Sequence, residues 1–141
     1  MLRPEVIRKR VQKLEEYLAI LERYRGYLRE EFLRDPEKYG SAERFLQLAI
    51  ETINDMASHV IAEQGLGEVN ANRDYARLLR EHGYITPALE ERWIRMIGFR
   101  NILVHNYLDV DRDIVFDILQ NDLMICGRSE TFLPIFSNRS G

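Results

Sequence analysis

The sequence predicts an all-α protein, an up-and-down antiparallel bundle of four main helices plus one short helix. Three observations carry that expectation. Ile7, Val11, Leu14, Leu18, Leu21, Arg25 and Leu28 recur at alternating steps of four and three, the spacing that lays a stripe along one side of a helix. No segment alternates apolar and polar residues with period two for long enough to be a strand. Only 8 Gly and 4 Pro interrupt 141 residues that are 45% hydrophobic, which is core enough for a domain and too few breakers for a many-turned β-sandwich. The length fits one domain, assigned here to residues 1–128, with 129–141 as a C-terminal tail.

The first helix is expected to run about 25 residues along the Ile7-to-Leu28 stripe, widened by Tyr17 and Tyr24, with a helical hairpin packed along it. Asp35-Pro36-Glu37 marks a break, because proline disfavours the helical state in the residue before it. A second helix starts near Ser41 and runs to Glu63. Leu46, Ala49, Ile50, Ile53, Met56, Ala57 and Val60 give it a broad apolar arc, and Gly65 supplies a left-handed end. A short helix covers 73–81 and stops at His82-Gly83-Tyr84. Thr86-Pro87 pairs a cap residue with proline in the first turn, a strong start for a helix whose Leu89, Trp93, Met96 and Ile97 face inward as far as Leu108. Asp109-Val110-Asp111 ends it. Asp111 caps a last helix with Ile114, Val115, Ile118, Leu119, Leu123 and Ile125 inside. The tail carries Phe132, Leu133, Ile135 and Phe136 around Pro134, to lie on the body or on a partner.

Composition excludes several classes. The net charge of −3 and pI near 5.7 do not suit strong, sequence-independent binding to long duplexes, although residues 1–35 and 71–105 carry a local basic excess. No run of about 18 apolar residues suggests a membrane span, and the charged start predicts no signal peptide. One cysteine, Cys126, allows neither an internal disulfide framework nor a Cys-based zinc site, so a reducing cytoplasm is the expected address. There is no Gly-rich phosphate loop, no Gly-x-Ser-x-Gly and no His-Glu-x-x-His. Asp109, Asp111, Asp113 and Asp117 imitate the start of a calcium loop, but the required glycine and the terminal glutamate are missing. No cofactor is expected.

The densest polar chemistry in an otherwise apolar helix is Arg100-Asn101-Ile102-Leu103-Val104-His105-Asn106-Tyr107. Asn101 and His105 stand four apart and are neighbours on a helix. Arg100 and His105 lie about 140° apart around an ideal helix. They converge only if Arg100 reaches round, if the last turn deforms, or if a symmetric dimer pools two copies. A guanidinium suits a phosphate, an imidazole moves protons near neutrality, and a phenol donates, stacks or accepts a covalent group. Together they fit metal-independent RNA cleavage; a satisfied polar cluster near a helix end explains the same residues. Asn101 and Asn106 are also explained by capping. A second polar island, Thr52, Asn54, Asp55 and His59, sits on the most buried-looking helix. Asp55 there could hold the His59 imidazole or pair with Arg100. With no third ligand at a helpful spacing, a role lining a cleft or dimer seam fits this island better than a metal site. His82 falls in an exposed turn.

The octet from Arg100 to Tyr107 resembles the signature of the HepT-like branch of the HEPN superfamily: Arg, four to six residues, His, any residue, Tyr. Glu51 to Ala62 is similar to that family's second helix, and Gly83-Tyr84-Ile85 and the helix after Asp109-Val110-Asp111 also sit where the family has them. The likeness covers residues 3–128. It implies a metal-independent endoribonuclease toxin of a type VII toxin–antitoxin system, with messenger or transfer RNA as substrate. It implies a homodimer whose paired motifs line one cleft, with Arg100 and His105 catalytic. Tyr107, Asn101 and Asn106 would line that cleft, with Asp55, His59 and Asn54 beside it. The implied partner is a minimal nucleotidyltransferase antitoxin, which in some systems moves AMP from ATP to the motif tyrosine, here Tyr107. Some relatives imply instead a non-catalytic nucleotide-binding or scaffold partner of that nucleotidyltransferase.

Overall fold

The computed structural model describes residues 4–121. Among these it contains six α-helices and no strand: α1 Pro4–Tyr24, α2 Arg29–Arg34, α3 Pro36–Gln64, α4 Arg73–Glu81, α5 Pro87–His105 and α6 Arg112–Asn121, with a 3-10 turn at Tyr107–Asp109. The all-α bundle stands. The expected count of four main helices plus one short helix does not, and the extra element comes from the first segment.

The Ile7-to-Leu28 stripe does not stay in one helix. After Tyr24 the chain tightens through Arg25 N–H to Glu22 O (3.2 Å), Gly26 N–H to Arg23 O (3.3 Å) and Tyr27 N–H to Tyr24 O (3.3 Å). This three-residue spacing ends many helices. Leu28 therefore turns out to solvent, 70% exposed. Its N–H is taken by the Glu31 carboxylate at 3.1 Å, which starts α2. The expected break at Asp35-Pro36 is present: Asp35 is extended, at φ −108° and ψ 105°, and separates α2 from α3. Asp35 caps α3 by accepting from Glu37 N–H at 2.9 Å, and Pro36 fills the first helical position, where no N–H is needed. α3 thus starts before Ser41 and reaches 29 residues. Its far end is as expected: Gly65 adopts φ 62°, and its N–H and that of Leu66 both reach Ile61 O.

α3 is the central rod. Arg10 meets Asp55 and Tyr17 meets Phe45, so α1 runs antiparallel to it. Trp93 meets Asn54 and Arg100 meets Glu51, so α5 does the same on another side. Ile50, Ile53, Met56, Ala57 and Val60 of α3 are buried with Ile7, Leu14 and Leu21 of α1 and with Trp93, Met96 and Ile97 of α5. α2 and α6 close one end through Phe32 and Phe116, ring centroids 5.5 Å apart, with Arg29 bonded to Asp113 (2.5 Å) and Asp117 (2.8 Å). α4 keeps its expected bounds. α5 starts where expected, with Thr86 Oγ1 accepting from Leu89 N–H at 3.1 Å. Asp111 caps α6 by accepting from Asp113 N–H at 2.9 Å. Leu123, Ile125, Cys126 and the tail lie outside the described residues.

Candidate active site at the end of α5

α5 stops at His105 rather than near Leu108. Asn106 leaves the helical region at φ −132° and ψ 44°, while its N–H still reaches Ile102 O at 2.9 Å. Asp109 N–H then bonds Asn106 O at 2.8 Å and closes the 3-10 turn that Tyr107 opens. The octet therefore straddles a helix end: Arg100 and Asn101 on regular helix, His105 as its last residue, Asn106 as the cap and Tyr107 just beyond. His105, Asn106 and Asn101 are exposed.

Arg100 is fixed. Its Nε and Nη2 both donate to Glu51 Oε2 of α3, at 2.9 and 2.7 Å, and Gln47 Nε2 donates to that same oxygen at 3.0 Å. Its remaining arm, Nη1, donates to the next residue along α5, Asn101 Oδ1, at 3.2 Å. Asn101 is one turn below His105. The guanidinium so shows one edge to Glu51 of α3 and its Nη1 arm to Asn101, four residues before His105.

The second polar island divides. Asn54 is buried, and its Oδ1 accepts from Trp93 Nε1 at 2.8 Å, so it satisfies a core indole. Asp55 pairs with Arg10 of α1, not with Arg100, and stands 3.8 Å from His59 Nε2. Thr52 donates to Leu48 O at 2.7 Å within its own helix. His82 is exposed, with Nδ1 2.9 Å from Leu78 O. Among the described residues no group of three or more His, Cys, Asp or Glu could hold a metal ion.

Glu51 and Gln47 were not singled out as site residues from the sequence. A usable signal was there. Glu43, Gln47, Glu51, Asp55 and His59 stand every four residues in a helix that is otherwise mostly apolar on its inner side, and such a row forms one continuous polar spine. On the opposite flank of α5, a groove of about 550 Å³ runs between α5 and α6, lined by Met96, Phe99, Ile102, Ile114 and Ile118. Ile102 and Ile114 remain 40% and 47% exposed.

Fold and site define a class: a small all-helical domain with Arg-x4-His-x-Tyr set across the end of one helix. The family described as "Ribonuclease HepT-like" matches residues 14–130, and the chain belongs to it. Over 78 residues it is 37% identical to a protein of Shewanella oneidensis named mRNA nuclease HepT, a match covering 55% of this chain. That match spans 59% of the Shewanella protein, less than two thirds of its length. A protein of Aphanizomenon flos-aquae named tRNA nuclease HepT is 28% identical over 113 residues, 80% of this chain and 77% of its own. Among solved structures, a toxin–antitoxin complex with AMP-PNP superposes with TM-score 0.82 at 25% identity, covering 96% of this chain and 99% of that one. The tri-AMPylated Shewanella oneidensis HEPN toxin in complex with its MNT antitoxin superposes with TM-score 0.78 at 26% identity, covering 99% and 96%.

Proposed function

We propose that this chain is an endoribonuclease toxin that cuts RNA without a metal ion and is neutralised by a minimal nucleotidyltransferase antitoxin. The observation that carries the reading is the held guanidinium of Arg100, one edge on Glu51 and its Nη1 arm on Asn101, in the octet that ends α5 at His105. In the proposed reaction the His105 imidazole takes the proton of a ribose 2′-hydroxyl, which attacks the neighbouring phosphorus. Arg100 stabilises the charge that builds on the phosphorane oxygens, and the 5′-oxygen leaves with a proton returned by a His105 imidazolium, giving a 2′,3′-cyclic phosphate. Family membership supports the activity, and the names of the two HepT relatives leave messenger and transfer RNA both open as substrates. Tyr107 is the proposed acceptor of AMP from ATP, supported by the AMPylated Shewanella toxin and by its position two residues after His105. No helix among the described residues is long and apolar enough to cross a membrane; cytoplasmic action by the 1–128 domain is part of the same proposal.

Within one chain the Arg100 side chain bonds Glu51 and Asn101, not His105. We therefore take the site to be completed by a second copy, with the exposed Ile102 and Ile114 of the α5–α6 groove, beside Arg92, Arg95 and Asp117, available to bury. Mixing Arg100→Ala and His105→Ala chains tests the reading. Each homodimer should lose about 10²–10⁴ in cleavage rate, and the mixture should recover part of it if one centre draws its two groups from different chains. Cleavage should continue in EDTA. Wild-type rates in the His105→Ala homodimer would defeat the nuclease assignment.

A further inference from the structure

We infer that Glu51 is the positioning residue for Arg100, and that it sets which edge of the guanidinium meets the RNA phosphate. The inference rests on the nuclease reading of Arg100 but is carried by contacts that exist without RNA. A guanidinium has five N–H donors in one plane and rotates about its long stem unless an edge is tied down. Here two donors from different nitrogens converge on a single carboxylate oxygen, Glu51 Oε2, at 2.9 and 2.7 Å. That oxygen is itself held by Gln47 Nε2 at 3.0 Å, one turn away on the same rigid helix. Arg100 and Glu51 are each only partly open, 23% and 33% exposed. The plane of the guanidinium is thus referenced to α3, the most buried helix, while Nη1 is turned toward Asn101 and the end of α5.

The chemistry follows from the edge that remains. With Nε committed to Glu51, a phosphate oxygen is met by the Nη1 side. Losing Glu51 does not remove the positive charge from the site; it removes the orientation of that charge. Orientation acts on the reacting geometry more than on the encounter with an anion, so the effect belongs in kcat rather than KM. Arg80 of α4 and Glu90 of α5 form an ion pair of the same type, Nε donating to Oε1 at 3.0 Å. That pair serves as the internal control, since it joins an arginine and a glutamate from two helices but holds an arginine outside the octet.

Glu51→Gln keeps the shape and an oxygen acceptor but removes the charge. We expect kcat for RNA cleavage to fall about 10–100-fold with KM changed less than about threefold. Glu51→Asp should recover part of the loss. Glu90→Gln should leave both constants within about twofold. Gln47→Ala, which removes only the amide on the shared oxygen, should give a smaller loss in the same direction. Independently of RNA, the Arg100 Nε–H resonance, assigned by its disappearance in Arg100→Lys, should be sharp in the wild-type toxin and broadened in Glu51→Gln. An unchanged resonance in Glu51→Gln overturns the clamp. A broadened resonance with unchanged kcat and KM overturns its role in cleavage. A wild-type chain that cleaves no RNA while the resonance still responds overturns the nuclease reading and leaves the clamp standing.

Discussion

Two glutamates on α3, two turns apart, each face an arginine from another helix, and they are used in opposite ways. Glu51 meets Arg100 of α5 through two N–H donors at 2.9 and 2.7 Å with a glutamine behind it. Glu43 meets Arg112 of α6 at 3.5 Å, outside good hydrogen-bond geometry, with its own side chain 15% exposed. The Arg112 guanidinium lies instead over the Tyr39 ring, 4.2 Å from its centroid. Burial pushes the Glu43 carboxyl up, with Arg112 pulling the other way. One pair is directional and leaves only the Nη1 arm of its arginine away from the carboxylate, on Asn101. The other is packing: an arginine plane stacked on an aromatic, with a carboxylate beside it that burial makes uncomfortable. Identical residue types therefore say little about function; the geometry of the donors separates them.

The largest contrast should come from replacing each arginine with lysine. Lysine keeps the charge but loses the planar fork. Arg100→Lys should cut RNA cleavage by about 10²–10³, the usual scale for losing a donor aimed at developing charge. Arg112→Lys should leave the cleavage rate within about twofold and act, if anywhere, on the melting temperature, because its stack on Tyr39 is lost. Comparable cleavage losses in both variants would erase the distinction drawn between the two pairs.

How far the sequence could anticipate this difference depends on the kind of signal. Thr86-Pro87, Gly65 and the 73–81 helix were legible because caps and stops act locally and have few alternatives. The break after Tyr24 was hidden, since Leu28 keeps the apolar spacing even though the chain has left the helix and put it in solvent. Pro36 was legible as the break it makes, with Asp35 extended before it, but not as the first residue of α3, because that depends on Asp35 turning its carboxylate onto the next N–H groups. At the site, the octet stood out because polar residues in an apolar helix are conspicuous. Its partner Glu51 did not, because the contact is tertiary, 49 residues distant in the chain. Asn54 was conspicuous for the same reason as the octet, yet it turned to the core and bound Trp93.

Asn54 is also the next way to sharpen the comparison, as a polar contact on α3 that is neither open nor charged. Trp93 is fully buried and Asn54 is 8% exposed, so removing one partner leaves a polar group in the core without water. Asn54→Leu should lower the unfolding free energy by about 1–3 kcal/mol, measured in urea, with the midpoint shifting and the slope unchanged. Cleavage per folded molecule should stay close to wild type. A selective loss of kcat at undiminished stability would move Asn54 from the core to the chemistry.

The smallest effect should come from Glu43→Gln, and its sign depends on pH. A carboxyl whose folded value is raised above its unfolded one binds more protons in the native state, so stability falls as pH rises through that raised value. The penalty is absent in acid below the ordinary glutamate range and grows as pH rises through the raised value. Glutamine is neutral throughout and keeps an oxygen for Arg112, so the exchange removes only the cost of the buried charge, offset by the attraction it had for the guanidinium. Such replacements are often neutral or mildly stabilising. Relative to wild type, the melting temperature of Glu43→Gln should therefore be higher at pH 7 than it is at pH 4, by a few degrees at most, about what a fraction of a kcal/mol yields in a domain of this size. The same substitution at Glu51 should show no such gain at neutral pH, because there the carboxylate is held by two guanidinium donors and an amide. A pH-dependent gain of equal size at both positions would mean that the hydrogen bonds around Glu51 carry no more weight than the loose contact at Glu43.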